Sequence, residues 1–314
     1  MAATAPTSTV TDILSAELSD GRIARVAGGD APVPWWSFSK TVLAAAALAL
    51  VRDGALALDT PLDARPFTLR HLLQHTAGVP NYGGLASYHA AVARGDRPWT
   101  EAELLRQVPP ERLLFSPGSG WSYSNIGYLL VRREIEAVAG ATLDSALRRL
   151  IFSPLGIDEV GVAEQPAELP GRMRGYHPGW VFHGLLVGSL RAAALLLDRL
   201  LAGDLLPPEL HSAMLAAWRI GGPFPGRPFR APAYGLGVMV DAEGSLGRTI
   251  GHTGQGPGST IAVYHFPDLV PRRTVAAFAP IDGDAVQGEI ESRVLSLASA
   301  PGGARLAPPP ASPG

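Results

Sequence analysis

Cysteine is absent from all 314 residues, which excludes a disulfide framework, a thiolate metal site and a thiol nucleophile. Lysine is almost as scarce: of 26 basic residues, 25 are arginine and one, Lys40, is lysine. The opening residues, MAATAPTSTV, hold no basic residue and no apolar core, so no secretory signal is expected there. The longest apolar run, residues 41–51, is too short to cross a bilayer. A net charge of -2, evenly scattered, offers neither the basic stripe of a nucleic-acid binder nor a polybasic membrane patch. Together these absences predict a soluble protein with no nucleic-acid partner, cytoplasmic, or periplasmic or secreted if a leader has been trimmed from the sequence. The 46% hydrophobic content suits a chain that buries a full core, as one large domain or two closely packed ones.

The single lysine stands in Trp35-Trp36-Ser37-Phe38-Ser39-Lys40, which runs into Thr41-Val42-Leu43 and four alanines. That alanine- and leucine-rich run is a strong helix former. Ser37 and Lys40 are three apart at its start, on one face and about one turn from each other. The free N–H groups of a helix start favour developing negative charge beside Ser37. Arginine keeps its proton in a protein, whereas a buried lysine can lose it. The one place where lysine is kept is therefore a place where a titratable amine beside a serine would activate a nucleophile. A coding bias towards arginine explains the 25 arginines but not the position of the survivor.

Along the chain, residues 9–27 read as two short strands around Asp20-Gly21, although residues 10–18 fit a brief helix equally well. Residues 68–75 form a short helix with Thr68 as its cap. His71 and His75 are four apart, but Leu72 stands where a zinc-protease pattern needs glutamate, so structural roles are expected. Residues 81–98 read as a loop and a modest helix, Thr100 caps the next, and helices follow at 126–138, 142–150 and 185–202. Gly188-Ser189 marks the effective start of the last of these. Residues 219–232, rich in Gly and Pro, form a crossing loop. The pattern then changes to strands at 234–240, 248–252, 260–266 and 273–279, an antiparallel meander closed by a helix at 285–298. Residues 300–314, rich in Pro, Gly and Ala, are expected to be disordered. The expected class is α+β: residues 1–58 and 230–299 build a sheet, with 59–229 a mostly helical insertion.

Three pieces stand in order: Ser37-Phe38-Ser39-Lys40, Tyr123-Ser124-Asn125, and His252-Thr253-Gly254 after a strand. In that order and spacing they resemble the serine β-lactamase-like superfamily, in the branch of class C β-lactamases, D-Ala-D-Ala carboxypeptidases and related esterases. Residues 72–78 (LLQHTAG), Pro117-Gly118, residues 153–156 (SPLG) and residues 234–237 (YGLG) are further family-like landmarks. The resemblance covers roughly residues 21–297 and implies a serine hydrolase needing no metal or organic cofactor. Its expected catalytic set is Ser37, Lys40 and Tyr123. Asn125, His252, Thr253, Gly254 and Gln255 would bind substrate or oxyanion, the oxyanion hole being the backbone N–H groups of Ser37 and Gln255. Charged Lys40 is expected to lower the pKa of Tyr123, which then takes the serine proton, unless neutral Lys40 takes it. Asn125 would hold the acyl part or orient Lys40, and Gly254 would let substrate lie close along the strand.

The chain departs from that pattern twice. Only 36 residues precede Ser37, so the opening strands and N-terminal helix are expected to be short or missing. His252 stands where β-lactamases carry lysine. A mostly neutral histidine is a poor anchor for the carboxylate of a β-lactam or D-Ala-D-Ala peptide. The expected substrate is thus a small ester or amide, with β-lactams and D-amino-acid peptides as the alternative. A structural role for His252 stays open, as does a sensor that is acylated without turnover. No Gly-x-Ser-x-Gly elbow, Walker A loop or dinucleotide fingerprint occurs.

Overall fold

The computed structural model of the chain describes residues 13–63, 65–300 and 305–306. The chain opens with β1 (Leu14–Ser19) and β2 (Arg22–Ala27), which turn about Asp20-Gly21, so the helical alternative for this stretch is not realised. The start expected at residue 9 lies outside the described residues. After β3 (Val33–Pro34) comes α1 (Ser39–Arg52), whose residues from Ser39 to Leu50 are all buried. A helix apolar on every side belongs in the middle of a core, and its alanines let neighbours approach closely.

The next segment is mostly helical: α2 (Leu69–Leu73), α3 (Ala86–Arg94), α4 (Glu101–Gln107), α5 (Asn125–Ala139) and α6 (Leu143–Leu147). β4 (Val160–Ala163) and β5 (Leu185–Gly188) follow, then α7 (Leu190–Ala202) and α8 (Pro208–Leu215). The remainder is β6 (Trp218–Arg219), β7 (Pro232–Tyr234), β8 (Met239–Asp241), β9 (Thr249–Gly256), β10 (Ser259–Phe266), β11 (Leu269–Val270), β12 (Arg273–Ala279), α9 (Asp284–Ala298) and β13 (Arg305–Leu306). An eight-stranded antiparallel sheet runs β2-β1-β12-β10-β9-β8-β7-β6. Strands from the two chain ends meet where Leu14 pairs with Phe278 and Ser19 with Arg273. The class is α+β, as expected. α9 packs on β10 and β12; α7, from within the expected helical insertion, packs on β1 and β12.

Three expectations are corrected. Residues 185–188 are strand β5, not helix: they pair with β3 and β4, and Ser189 then caps α7 by accepting the Ala192 N–H at 3.0 Å. Open partners on two sides override the helix preference of the leucines. The strand expected at 234–240 is split into β7 and β8, because Leu236 N–H turns away to Met214 O at 2.9 Å. Within the expected disordered tail, Arg305–Leu306 pair with β11; residues 301–304 and 307–314 lie outside the described residues. Both opening strands are present, six residues each, and the stretch before residue 13, where the N-terminal helix is expected to be short or missing, lies outside the described residues. Among the described residues no helix is long and apolar enough to cross a membrane.

Candidate active site

Everything that places Ser37 is packed around a short, tight turn, Trp36–Phe38, between β3 and α1. Trp35 anchors its entrance: its backbone N–H donates to Leu186 O at 2.8 Å and its indole N–H to Gly188 O at 3.1 Å. Trp36 has φ of 43°, in the left-handed region that bulky residues avoid. Such a conformation costs about 1–3 kcal/mol and persists only where packing over-determines it. Here the indole N–H donates to Ser259 Oγ at 2.8 Å and the ring packs against β9 at Gly256. A β-carbon on Gly256 would stand 2.4 Å from that ring, and one on Gly254 would stand 2.7 Å from both Ser37 N and Trp35 O. The glycine at 254 thus admits the nucleophile's own backbone, not substrate as expected. Ser37 is left half-buried, with its hydroxyl at a cavity.

Lys40, on the first turn of α1, is fully buried. Its Nζ lies 3.4 Å from Ser37 Oγ, and the Tyr123 hydroxyl donates to that same oxygen at 2.9 Å. The expected catalytic triplet therefore converges on one atom. Its electrostatics are not those expected. Burial without a compensating carboxylate pushes Lys40 well below the usual lysine range, towards the neutral amine. Burial also pushes Tyr123 above its ordinary value, with the hydrogen bond to Ser37 only a minor opposing effect. The expectation that Lys40 draws the Tyr123 pKa down is not met. Lys40 Nζ faces the rings of Tyr123 and Tyr128, at 5.0 and 5.6 Å from their centres.

β9 brings in the third motif. His252 is buried with both ring nitrogens engaged: Nδ1 donates to Thr253 O at 2.7 Å, which leaves Nε2 to accept the Tyr234 hydroxyl at 2.9 Å. Burial and, secondly, Lys40 depress its pKa to about 3. His252 is thus a neutral ring held at both nitrogens, on the wall of a cavity that Ser37 also lines. Thr253 turns its hydroxyl to Glu291 of α9, with Tyr264 OH at 2.8 Å from the same oxygen. Glu291 is closed off by a bidentate pair with Arg227. Gln255 accepts the Gly283 N–H with its side-chain oxygen at 3.2 Å, and it lines the site beside Ser37.

Ser37 and Gln255 border two cavities. One, of about 110 Å³, is walled by Trp36, Tyr82, Tyr88 and Tyr176, with Asn125 and His183 on its rim. The other, of about 360 Å³, lies between Trp121, Tyr123, Phe224, Arg227 and His252. Asn125 opens α5 with its N–H on Asn81 Oδ1 at 3.1 Å, and its side chain has no bond to Lys40. The two histidines weighed as metal ligands are employed otherwise. His71 Nδ1 accepts the Thr68 N–H in the cap of α2, at 3.2 Å. His75 Nδ1 accepts the Ser124 N–H at 3.1 Å, and its ring lies among Tyr123, Tyr128 and Tyr234. Sequence reasoning missed His183, whose Nε2 is 3.2 Å from Lys40 Nζ. No spacing to a motif marks it; only the topology of β5 carries it there.

The sequence model of the Beta-lactamase family matches residues 14–286. Over 151 residues the chain is 32% identical to Esterase EstB of Burkholderia gladioli, covering 41% of this chain and 38% of that protein. Over 155 residues it is 30% identical to a penicillin-binding protein of Bacillus subtilis, covering 46% and 34%. The chain thus aligns with little more than a third of each curated relative. A D-stereospecific amidohydrolase from Streptomyces matches in fold with a TM-score of 0.77 at 24% identity, over 91% of this chain and 93% of that one.

Proposed function

The chain belongs to the β-lactamase family, and on that premise we propose that it is a serine hydrolase that cleaves small esters or amides through an acyl-enzyme. The observation that carries the reading is the convergence of Tyr123 OH and buried Lys40 Nζ on Ser37 Oγ. Ser37 Oγ attacks the carbonyl carbon and its proton passes to neutral Lys40. The backbone N–H groups of Ser37 and Gln255 hold the oxyanion, each such donor being worth ~3 kcal/mol. Tyr123, which keeps its proton, delivers it to the leaving alcohol or amine and is reprotonated from Lys40. Water then attacks the acyl-serine by the same route in reverse. Asn125, on the rim of the aromatic cavity, receives the acyl side, and the larger cavity takes the leaving group.

Two features support esters over β-lactams. His252 is neutral with both nitrogens used, and Arg227 is already paired with Glu291, so neither provides a free cation for a substrate carboxylate. The esterase among the matched proteins points the same way. The test compares wild type and Ser37→Ala on a short-chain p-nitrophenyl ester and a chromogenic cephalosporin. Ester turnover that disappears in the variant, with little cephalosporin hydrolysis, is the expected result. Efficient cephalosporin hydrolysis would make it a β-lactamase, and a burst of one equivalent without turnover would make it a sensor. Activity surviving in Ser37→Ala would remove the assignment altogether.

A further inference from the structure

A neutral amine has one lone pair and two N–H groups. If Lys40 is to take the Ser37 proton, the lone pair must face Ser37 Oγ and an N–H must be satisfied elsewhere. The polar atoms bonded to Nζ among the described residues are Ser37 Oγ at 3.4 Å and His183 Nε2 at 3.2 Å. We propose that His183 is the positioning residue of this site, accepting an N–H from Lys40 through Nε2 so that the amine's lone pair is aimed at Ser37. The proposal rests on the serine-hydrolase reading above.

The geometry constrains the tautomer. Were Nε2 the donor, it would occupy the only lone pair of Lys40 and leave none for the serine proton. The productive ring therefore carries its hydrogen on Nδ1, which is buried and has no partner among the described residues. Nearly full burial of His183 and its place at the end of the turn that leads into β5 hold the ring still. Its second contribution comes after proton transfer. Lys40 is then an ammonium in a pocket where the facing groups are Tyr123, Tyr128, His75 and His252, all uncharged there, and Arg132, beyond His183, is already paired with Glu136. No carboxylate offsets the new charge. The His183 lone pair is the fixed acceptor that does.

The test uses the full chain with His183→Leu, His183→Asn and His183→Gln, read by ester kcat and KM across pH. Glutamine places its amide oxygen where Nε2 stood; asparagine falls short of Lys40 and leucine offers no acceptor. Leucine and asparagine should lower kcat about 100-fold with KM little changed, the scale of a lost general base. The acid limb of the profile should also move to lower pH, because the ammonium has lost its acceptor. Glutamine should recover at least about tenfold of that loss. Equal activity in the asparagine and glutamine variants, or an unmoved acid limb in both, would overturn the proposal even if leucine prevents folding. Loss of activity in Ser37→Ala together with unchanged His183 variants would sink this inference alone; activity surviving in Ser37→Ala would sink the reading beneath it.

Discussion

Lys40 is held in the folded state at a cost. Burial holds its folded pKa well below the ordinary 10.5, so between those two values the unfolded chain binds a proton that the folded chain lacks, and unfolding is favoured by that difference. Since the unfolded state holds more protons, stability rises with pH through this window and the penalty is gone above about pH 10.5. Lys40→Met should therefore abolish ester turnover and yet raise stability at pH 7 by about 0.5–2 kcal/mol, as when a functional polar group is replaced by a packed apolar one. An ester assay checks the first part and denaturant unfolding at pH 7 and pH 10 the second: the gain must shrink at the higher pH. At the same scale, Tyr123→Phe removes only a hydroxyl that donates to Ser37 at 2.9 Å. It should lower kcat/KM by roughly 10²–10⁴ with little change in unfolding midpoint. An activity within threefold of wild type would show that Tyr123 carries no proton.

At the level of elements, the site is a contact between one strand and one turn. β9 packs against Trp36 because positions 254 and 256 have no side chain, and the backbone of Ser37 thereby comes up against Gly254. Gly254→Ala would force a carbon to within 2.7 Å of Ser37 N and Trp35 O, both backbone atoms that cannot yield like a side-chain tip. The expected result is a loss of about 1–3 kcal/mol in stability and of about 100-fold in kcat, from displacement of the nucleophile by a fraction of an ångström. Ester kinetics and a melting curve on the same preparation decide it; an alanine variant with normal kcat would mean that the packing of β9 does not set the nucleophile. This contact also shows what a sequence can disclose. Lys40 was legible as the only lysine, and Tyr123 and His252 as members of spaced motifs. His183 was not legible, because Leu185 and Leu186 run into the apolar pattern of the following helix, and the segment shows itself as a strand only when β3 and β4 offer partners. The fate of Gly254 was equally hidden: a missing side chain says that something comes close, not what.

Over the whole molecule, strands from both ends of the fold pair within one open sheet, and the crossing loop before β7 must be fastened to it for the larger cavity to have a wall. Arg227 does this. It sits on that loop, pairs with both oxygens of Glu291 on α9 and donates to Gln287 Oε1 at 3.1 Å. Glu291 is buried and also receives the Thr253 hydroxyl, so the ion pair ties the loop to the last helix and to β9, directly behind the site. Removing one partner alone leaves an uncompensated buried charge. Arg227→Leu should therefore destabilise the protein by about 3–5 kcal/mol, and Arg227→Leu with Glu291→Gln should regain most of it, since a glutamine can still accept from Thr253 without a charge. If the pair is also the fastening of the cavity wall, the double variant should regain stability but not specificity: KM for esters with bulky leaving groups should stay raised while that for small ones returns to normal. Urea unfolding of the cycle gives the first part and a leaving-group series gives the second. Additive losses in the double variant would mean that Arg227 and Glu291 act separately, and uniform recovery of KM would confine the pair to stability.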